Sequence, residues 1–239
     1  MNIVITAGGT TEYIDKVRKI TNSSSGKLGS IIANKLSNVE NVKIFYICAK
    51  KSFRPEIRTN IEIIEIENTN DLKNTVEKVL SENNIDYFIH SMAVSDYYVD
   101  YVSTVEMIEK SIKENGVINS LKNSKYKLDN TSKISSDEDN LIIMLKQTPK
   151  IISLIKEISP QTKLIGFKLL ENVSEEELIY IATNLMKKNK CDYVVANDLK
   201  NINKNEHKAI IIKKNGKQIK VSTKQEIADK LYSLIIKNQ

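Results

Sequence analysis

Short apolar runs of strand length alternate along this chain with segments of helical period. That rhythm narrows the fold to an α/β class with a mostly parallel sheet and helices on both faces. The runs are residues 3–7, 42–48, 61–66, 87–90, 141–145, 164–167 and 193–196, and the helix-period segments are 27–37, 70–82, 149–158 and 174–189. Asn70 or Thr69 is the expected cap of the second helix, and Ser174 followed by Glu175, Glu176 and Glu177 is a capping-box pattern on the fourth. The rhythm changes near the end. Residues 207–213 and 217–221 flank Asn215-Gly216, a type I′ hairpin signal. A last helix over 223–237 carries Ile227, Leu231, Leu234 and Ile235 on its apolar side. The expected architecture is a three-layer open sheet ending in an antiparallel hairpin or finger. At 239 residues the whole chain, 1–239, suits one domain with a sizeable core. Residues 98–132 fit the pattern worst: they are polar and rich in Lys, Asn and Ser, with a helix expected around 103–114. They read as a surface insertion, or as a dimerisation strap or lid.

Composition excludes several classes. No stretch approaches the 18 or so consecutive apolar residues of a membrane span, and the start Met1-Asn2-Ile3-Val4-Ile5 has no signal-peptide pattern. Two cysteines, Cys48 and Cys191, lie far apart in apolar surroundings, which suggests a reduced, cytoplasmic chain. The net charge of +6 is spread over scattered lysines, with no Trp and four Phe. Platforms for stacking bases are therefore few, and a solvated surface is favoured over nucleic-acid binding.

The chemistry concentrates at the ends of the runs. Thr6-Ala7-Gly8-Gly9-Thr10-Thr11 is a strand ending in glycines, where backbone N–H groups bind phosphate. The segment from Val17 to Gly29 holds Arg18, Asn22, Ser23, Ser24, Ser25 and Gly26 at a helix start, where backbone donors, hydroxyls and the positive helix end converge on an anion. Gly29 lets that helix pack closely, and Arg18 suits a phosphate or carboxylate. Ser91-Met92-Ala93-Val94-Ser95-Asp96-Tyr97 follows the run 87–90, with Asp96 placed for a hydroxyl, an amide or metal-bound water. Lys133-Ile134-Ser135-Ser136, Gly166-Phe167-Lys168 and Ala196-Asn197-Asp198 complete the set: Lys133 for polyphosphate, Phe167 for stacking on a base, Asn197 for hydrogen bonds to nucleotide. His90 and His207 lack metal-ligand spacing and read as structural or surface residues. An NAD(P)-dependent oxidoreductase of Rossmann fold is the alternative. Against it, G-x-G-x-x-G is missing and Ala49-Lys50-Lys51, not an acidic residue, follows the second strand.

Five of these segments stand in the order of one known family: ITAGGTTE, VRxITNxSSGxLG, MAVSDY, KISS with TPKII, and GFKLL with VVANDL. The chain thus resembles the phosphopantothenate–cysteine ligases, in their stand-alone bacterial form. The resemblance implies a Rossmann-like homodimer that condenses 4′-phosphopantothenate with L-cysteine, using CTP (or ATP) with Mg²⁺. It implies a nucleotide site from Gly8, Ser24, Gly26, Gly29, Phe167, Asn197 and Lys133. It implies a phosphopantothenate site from Asn22, Met92, Ala93 and Asp96, with Arg18 supplied by the partner subunit. Lys133 looks like the family's catalytic lysine, Asn22 and Arg18 act with it, and Lys187 or Lys188 approaches the base. The family often has two alanines where this chain reads Met92-Ala93.

Overall fold

The computed structural model of the chain describes residues 1–122, 125–203 and 206–237. The first half contains β1 (Asn2–Ala7), β2 (Thr11–Tyr13), β3 (Lys19–Thr21), α1 (Lys27–Leu36), β4 (Lys43–Ala49), β5 (Ile61–Ile66), α2 (Thr69–Glu82), β6 (Tyr87–His90), β7 (Tyr97–Thr104), α3 (Val105–Asn115) and α4 (Val117–Lys122). The second contains β8 (Leu141–Gln147), α5 (Ile151–Ile158), β9 (Lys163–Leu170), α6 (Glu175–Asn189), β10 (Tyr193–Ile202), β11 (His207–Lys213), β12 (Gln218–Val221) and α7 (Lys224–Ile236).

The main sheet runs β12-β11-β10-β9-β6-β1-β4-β5. From β5 to β10 neighbouring strands are parallel, and β11 and β12 join antiparallel at one edge. The three-layer expectation holds, and the C-terminal hairpin extends the sheet instead of projecting from it. Pleating sorts each strand's side chains to opposite faces. Ile3, Ile5 and Ala7 of β1 join a cluster with Ile32 and Leu36 of α1 and Ile227 and Leu231 of α7. Val4 joins the opposite cluster, with Leu72 and Val76 of α2, Ile151 and Ile155 of α5, and Leu178 and Met186 of α6. Burial on both faces is why these strands read as unbroken apolar runs.

Three expectations need correction. The run at 141–145 is a strand, but it lies outside the main sheet. It pairs antiparallel with β7, from Tyr97↔Gln147 to Thr104↔Leu141. That makes 97–104 a strand in a stretch read as a polar insertion. Its partner lies some forty residues away, so no local turn marked the pairing. The helix expected around 103–114 is α3, capped by Thr104, whose hydroxyl accepts from the Met107 N–H at 3.3 Å. Within the expected 98–132 strap, residues 123–124 lie outside the described residues, as do 238–239 at the end of the expected 1–239 domain. Finally, α2 is capped by Asn68. Its side chain accepts from the Asp71 N–H at 2.8 Å, and Asp71 accepts in return from the Asn68 N–H at 3.4 Å. Thr69 is instead committed to Glu12, as described below. Ser174 caps α6 as expected, accepting from the Glu177 N–H at 3.1 Å.

Candidate functional site

From β1 the chain moves outward through β4 to β5, then returns to place β6 on the other side of β1. In open α/β sheets such a reversal leaves a crevice beyond the carboxyl ends of the two strands. Here the loops after β1 and β6 meet in it. The Ala93 N–H donates to Gly8 O at 2.8 Å and the Thr10 N–H donates to Ala93 O at 3.1 Å. Gly9 and Ala93 form a parallel bridge.

Gly8 has φ 88° and Gly26, at the start of α1, has φ 74°. Both lie in the left-handed region that favours glycine. A Cβ on Gly26 would lie 3.1 Å from the Gly8 nitrogen, so the two backbones touch. No side chain caps α1 at Gly26 and no acidic residue occupies its first turn. α1 thus begins beside the Gly8 loop, and the positive end of a helix is an arrangement suited to an anion. The serines precede α1: Ser25 Oγ accepts from the Lys27 N–H at 3.4 Å, and Ser25 O accepts from the Phe53 N–H at 2.8 Å, tying this loop to the segment after β4. Ser24 is exposed. Gly29 serves packing: a Cβ there would come within 2.6 Å of the Ala7 Cβ.

Asn22 donates through Nδ2 to Val94 O at 3.0 Å and so spans to the β6 loop. Beside it opens a cleft of about 360 Å³, lined by Thr21, Asn22, Ser24, Lys19, Lys50 and Lys51 among others. The two lysines after β4, noted in the sequence only as the absence of an acid, are part of its wall. Met92 is 7% exposed, its side chain packed in the core cluster that includes Val4 and Phe88. Asp96 is exposed and ion-paired to Lys150.

Buried hydroxyls brace the loops. Ser95 N–H donates to Thr10 Oγ1 at 2.8 Å and Thr148 Oγ1 donates to Ser95 O at 2.6 Å. Thr69 donates to Glu12 from N at 2.9 Å and Oγ1 at 2.7 Å. Nothing in the sequence marked Glu12 or Thr148 for this role, or Thr10 and Thr69 as its hydroxyls, because a network assembled from four separate segments leaves no local spacing.

Arg18 and Lys133 come together within one chain. The Arg18 guanidinium pairs with Asp15 at 3.3 Å and donates to Ile134 O at 3.1 Å. These contacts use two of its N–H groups and leave others for a second ligand. Lys133 is exposed, with no ion-pair partner among the described residues. Phe167 packs partly buried against the α1 and α7 side of β9. Asn197 is 7% exposed, its Nδ2 3.5 Å from His207 Nε2. Lys187 and Lys188 stand apart. They occupy the last turn of α6. That helix crosses back between the parallel strands β9 and β10, so its end lies at the opposite edge of the sheet from the Gly8 loop.

His90 lies under the crevice, its Nδ1 2.9 Å from Thr6 Oγ1. Burial pushes its imidazole down to about 4. A ring that is neutral when folded loses stability as pH falls from about 6.5 towards 4, because the unfolded chain takes the proton first. From this group, stability should drop by about 2 kcal/mol between pH 7.5 and pH 5. Urea denaturation of the protein and of His90→Gln checks it: the variant should lose that part of the slope. Carboxylates held below their usual range, such as Asp15, contribute their loss only below about pH 4.

The fold is Rossmann-like α/β, with a two-walled crevice at the switch point of its sheet. The model of the DNA/pantothenate metabolism flavoprotein C-terminal domain family matches residues 1–125 and 105–238. The chain belongs to this family. It is 32% identical over 236 residues to the coenzyme A biosynthesis bifunctional protein CoaBC of Thermococcus kodakarensis, covering 98% of this chain and 51% of that protein. It is 28% identical over 242 residues to the CoaBC protein of Haemophilus influenzae, covering 99% and 51%. The chain spans about half the length of the curated relatives it matches. A crystal structure of the DNA/pantothenate metabolism flavoprotein from Streptococcus pneumoniae superposes with TM-score 0.87 at 41% identity, covering 100% of both chains. A Cab2 variant in complex with phosphopantothenate-cysteine shares the fold, with TM-score 0.71 at 18% identity, covering 99% of this chain and 86% of that one. The motif resemblance and the family assignment agree, and the NAD(P)-dependent alternative is left without support.

Proposed function

We propose that this chain is a phosphopantothenate–cysteine ligase, joining 4′-phosphopantothenate to L-cysteine in coenzyme A biosynthesis. One observation carries the reading: the Gly8–Gly26 contact and the Met92–Asp96 loop meet in one crevice, bridged by Asn22. A carboxylate and a nucleoside triphosphate held on these two walls would face each other across Asn22.

In the first step a carboxylate oxygen of phosphopantothenate attacks the α-phosphorus of CTP. The bond to the β-phosphate breaks and pyrophosphate leaves. The cysteine amine then attacks the acyl carbon and CMP departs, with the amine proton passing to solvent. Bringing a carboxylate to a triphosphate opposes like charges, so preorganised cations and donors lower the barrier. Lys133, Lys50, Lys51 and the open end of α1 supply them. Asn22 holds the acyl intermediate with a neutral group that both donates and accepts. Nucleotide contacts fall to Gly8, Ser24, Gly26, Gly29, Phe167 and Asn197, and the last two set the choice of CTP over ATP. Phosphopantothenate contacts fall to Asn22, the backbone of Met92 and Ala93, Asp96 and Arg18. Among the described residues no group of three or more His, Cys, Asp or Glu is placed to hold a metal. In this reading Mg²⁺ rides on the nucleotide phosphates. The β7–β8 arm exposes Tyr97, Tyr98, Ile143 and Leu145, which supports a homodimer joined there, with Arg18 reaching the partner's substrate. The two free thiols, Cys48 and Cys191, are buried, which suits a cytoplasmic enzyme. No described helix is long and apolar enough to cross a membrane.

The test is direct. Purified protein should release pyrophosphate from CTP only when phosphopantothenate is present, and with cysteine should yield a product of the mass of phosphopantothenoylcysteine. Silence with both CTP and ATP sinks the proposal.

A further inference from the structure

Asp15 is 1% exposed and sits in the turn between β2 and β3. Its Oδ1 accepts from the Val17 N–H at 2.8 Å and the Arg18 N–H at 2.6 Å. Its Oδ2 accepts from the Ile134 N–H at 3.2 Å and pairs with Arg18 Nη1 at 3.3 Å. Arg18 Nη2 donates to Ile134 O at 3.1 Å. Both backbone polar groups of Ile134 are thus gripped by one carboxylate–guanidinium pair, across more than a hundred residues of sequence. Ile134 is itself buried, while Lys133 beside it is exposed.

The surroundings make this grip matter. Leu128 is tied to the arm by its N–H to Val102 O at 2.8 Å, and Asn140 O accepts from the Val105 N–H at 3.2 Å. Between them, hydrogen bonds among the described residues are either local, such as Thr131 to Asp129 and Ser135 to Asp137, or go to Asp15 and Arg18. An open cavity of about 350 Å³, lined by Tyr13, Asp15, Lys16 and Asn130, lies alongside. Ile134 is the one buried residue between 131 and 139, so burial of its side chain and the hydrogen bonds to its backbone together set where the segment sits. Hydrogen bonds from the Arg18 and Val17 N–H groups, with that of Ile134, hold the Asp15 carboxyl below its usual range, so it stays an acceptor at neutral pH.

We infer that Asp15 is a positioning residue for Lys133: through Arg18 and the Ile134 backbone it clamps the 129–139 segment and so fixes where the lysine stands. The catalytic part of this inference rests on the ligase reading; the clamp itself does not. An enzyme whose cation rides on a lightly tethered segment loses turnover when the tether loosens, because a displacement of about 1 Å costs up to about 100-fold.

The experiment compares the full chain with Asp15→Asn, Asp15→Glu and Arg18→Gln, with melting temperatures recorded. Three quantities are read: hydrogen exchange at the Ile134 amide, the rate of tryptic cleavage after Lys133, and kcat and KM with CTP and phosphopantothenate. Asp15→Asn puts an amide where Ile134 N–H needs an acceptor. Exchange and cleavage should rise about tenfold or more, and kcat should fall at least about tenfold while the KM for CTP stays within about twofold. Asp15→Glu, which keeps the charge, should recover part of both. If Asp15→Asn fails to fold, Arg18→Gln is read by exchange and cleavage alone, because it removes the bond to Ile134 O and leaves the carboxylate, while its kinetics also carry the loss of a phosphopantothenate contact. Wild-type exchange and cleavage in the folded variants overturn the clamp. A fall in kcat without local loosening overturns it too, since the carboxylate would then act by another route. Loosening in variants of a protein with no ligase activity at all would retain the clamp and discard the ligase reading.

Discussion

In the ligase reading, Lys133→Ala is expected to slow pyrophosphate release from CTP by about 100-fold or more, the scale of losing one oriented electrostatic contact to the transition state. It leaves the melting temperature within a degree or two. The second half follows from the structure. Lys133 is exposed, and no ion pair or hydrogen bond among the described residues depends on its ammonium group. Truncating such a side chain changes stability by no more than about 0.5 kcal/mol. Any large loss is therefore chemical. Lys133→Arg keeps the charge but offers a planar fork in place of a compact ammonium, so it should recover only part of the rate. Asn22→Asp is the companion test, with a similar loss of about 100-fold expected. It removes the donor that Val94 O accepts at 3.0 Å, and it adds a negative charge where an anion must bind. Near-normal turnover in either variant removes that residue from the mechanism.

What the sequence made legible follows the range of the interactions. The parallel strands of the main sheet and the helices between them were visible because burial on both faces writes itself as unbroken apolar runs. The Gly8 and Gly26 positions were visible because only glycine readily takes a positive φ at such a turn. Longer-range pairings were not legible. Tyr97–Thr104 looks polar and half-buried by itself, and its partner Leu141–Gln147 looks like one more strand of the main sheet. Asn68 lost to its neighbours in the reading because Thr69 and Asn70 are equally good caps by type. The decision came from Asp71 answering Asn68 and from Glu12 claiming Thr69. Lys187 and Lys188 were named from the resemblance, and only the topology shows that the end of α6 lies at the opposite edge of the sheet from the Gly8 loop.

The walls of the crevice are held by backbone contact more than by side chains, and Gly9 is where that matters most. Gly9→Ala is expected to abolish most of the activity and to destabilise the fold by about 1–3 kcal/mol, the cost of forcing a methyl group into a packed site. An added Cβ would lie 2.1 Å from the Asn22 carbonyl oxygen and 3.1 Å from its carbonyl carbon. Those are backbone atoms, so no rotamer change relieves the clash. The contrast is Gly8→Ala, where the nearest atom is Ser52 Oγ at 1.8 Å, a side-chain atom that rotation can move, although the positive φ there still opposes alanine. At Gly9 the segment bearing Asn22, just after β3, must retreat, or the bridge from Gly9 to Ala93 must open. Either movement separates the nucleotide wall from the phosphopantothenate wall. A shift of about 1 Å between reacting groups is enough to cost about 100-fold in rate. Measuring kcat and the unfolding midpoint of Gly9→Ala beside Gly8→Ala and Ser52→Ala separates the two effects. Removing the Ser52 hydroxyl should partly rescue Gly8→Ala and do nothing for Gly9→Ala. An active, stable Gly9→Ala protein shows that the two walls do not need this contact to face each other.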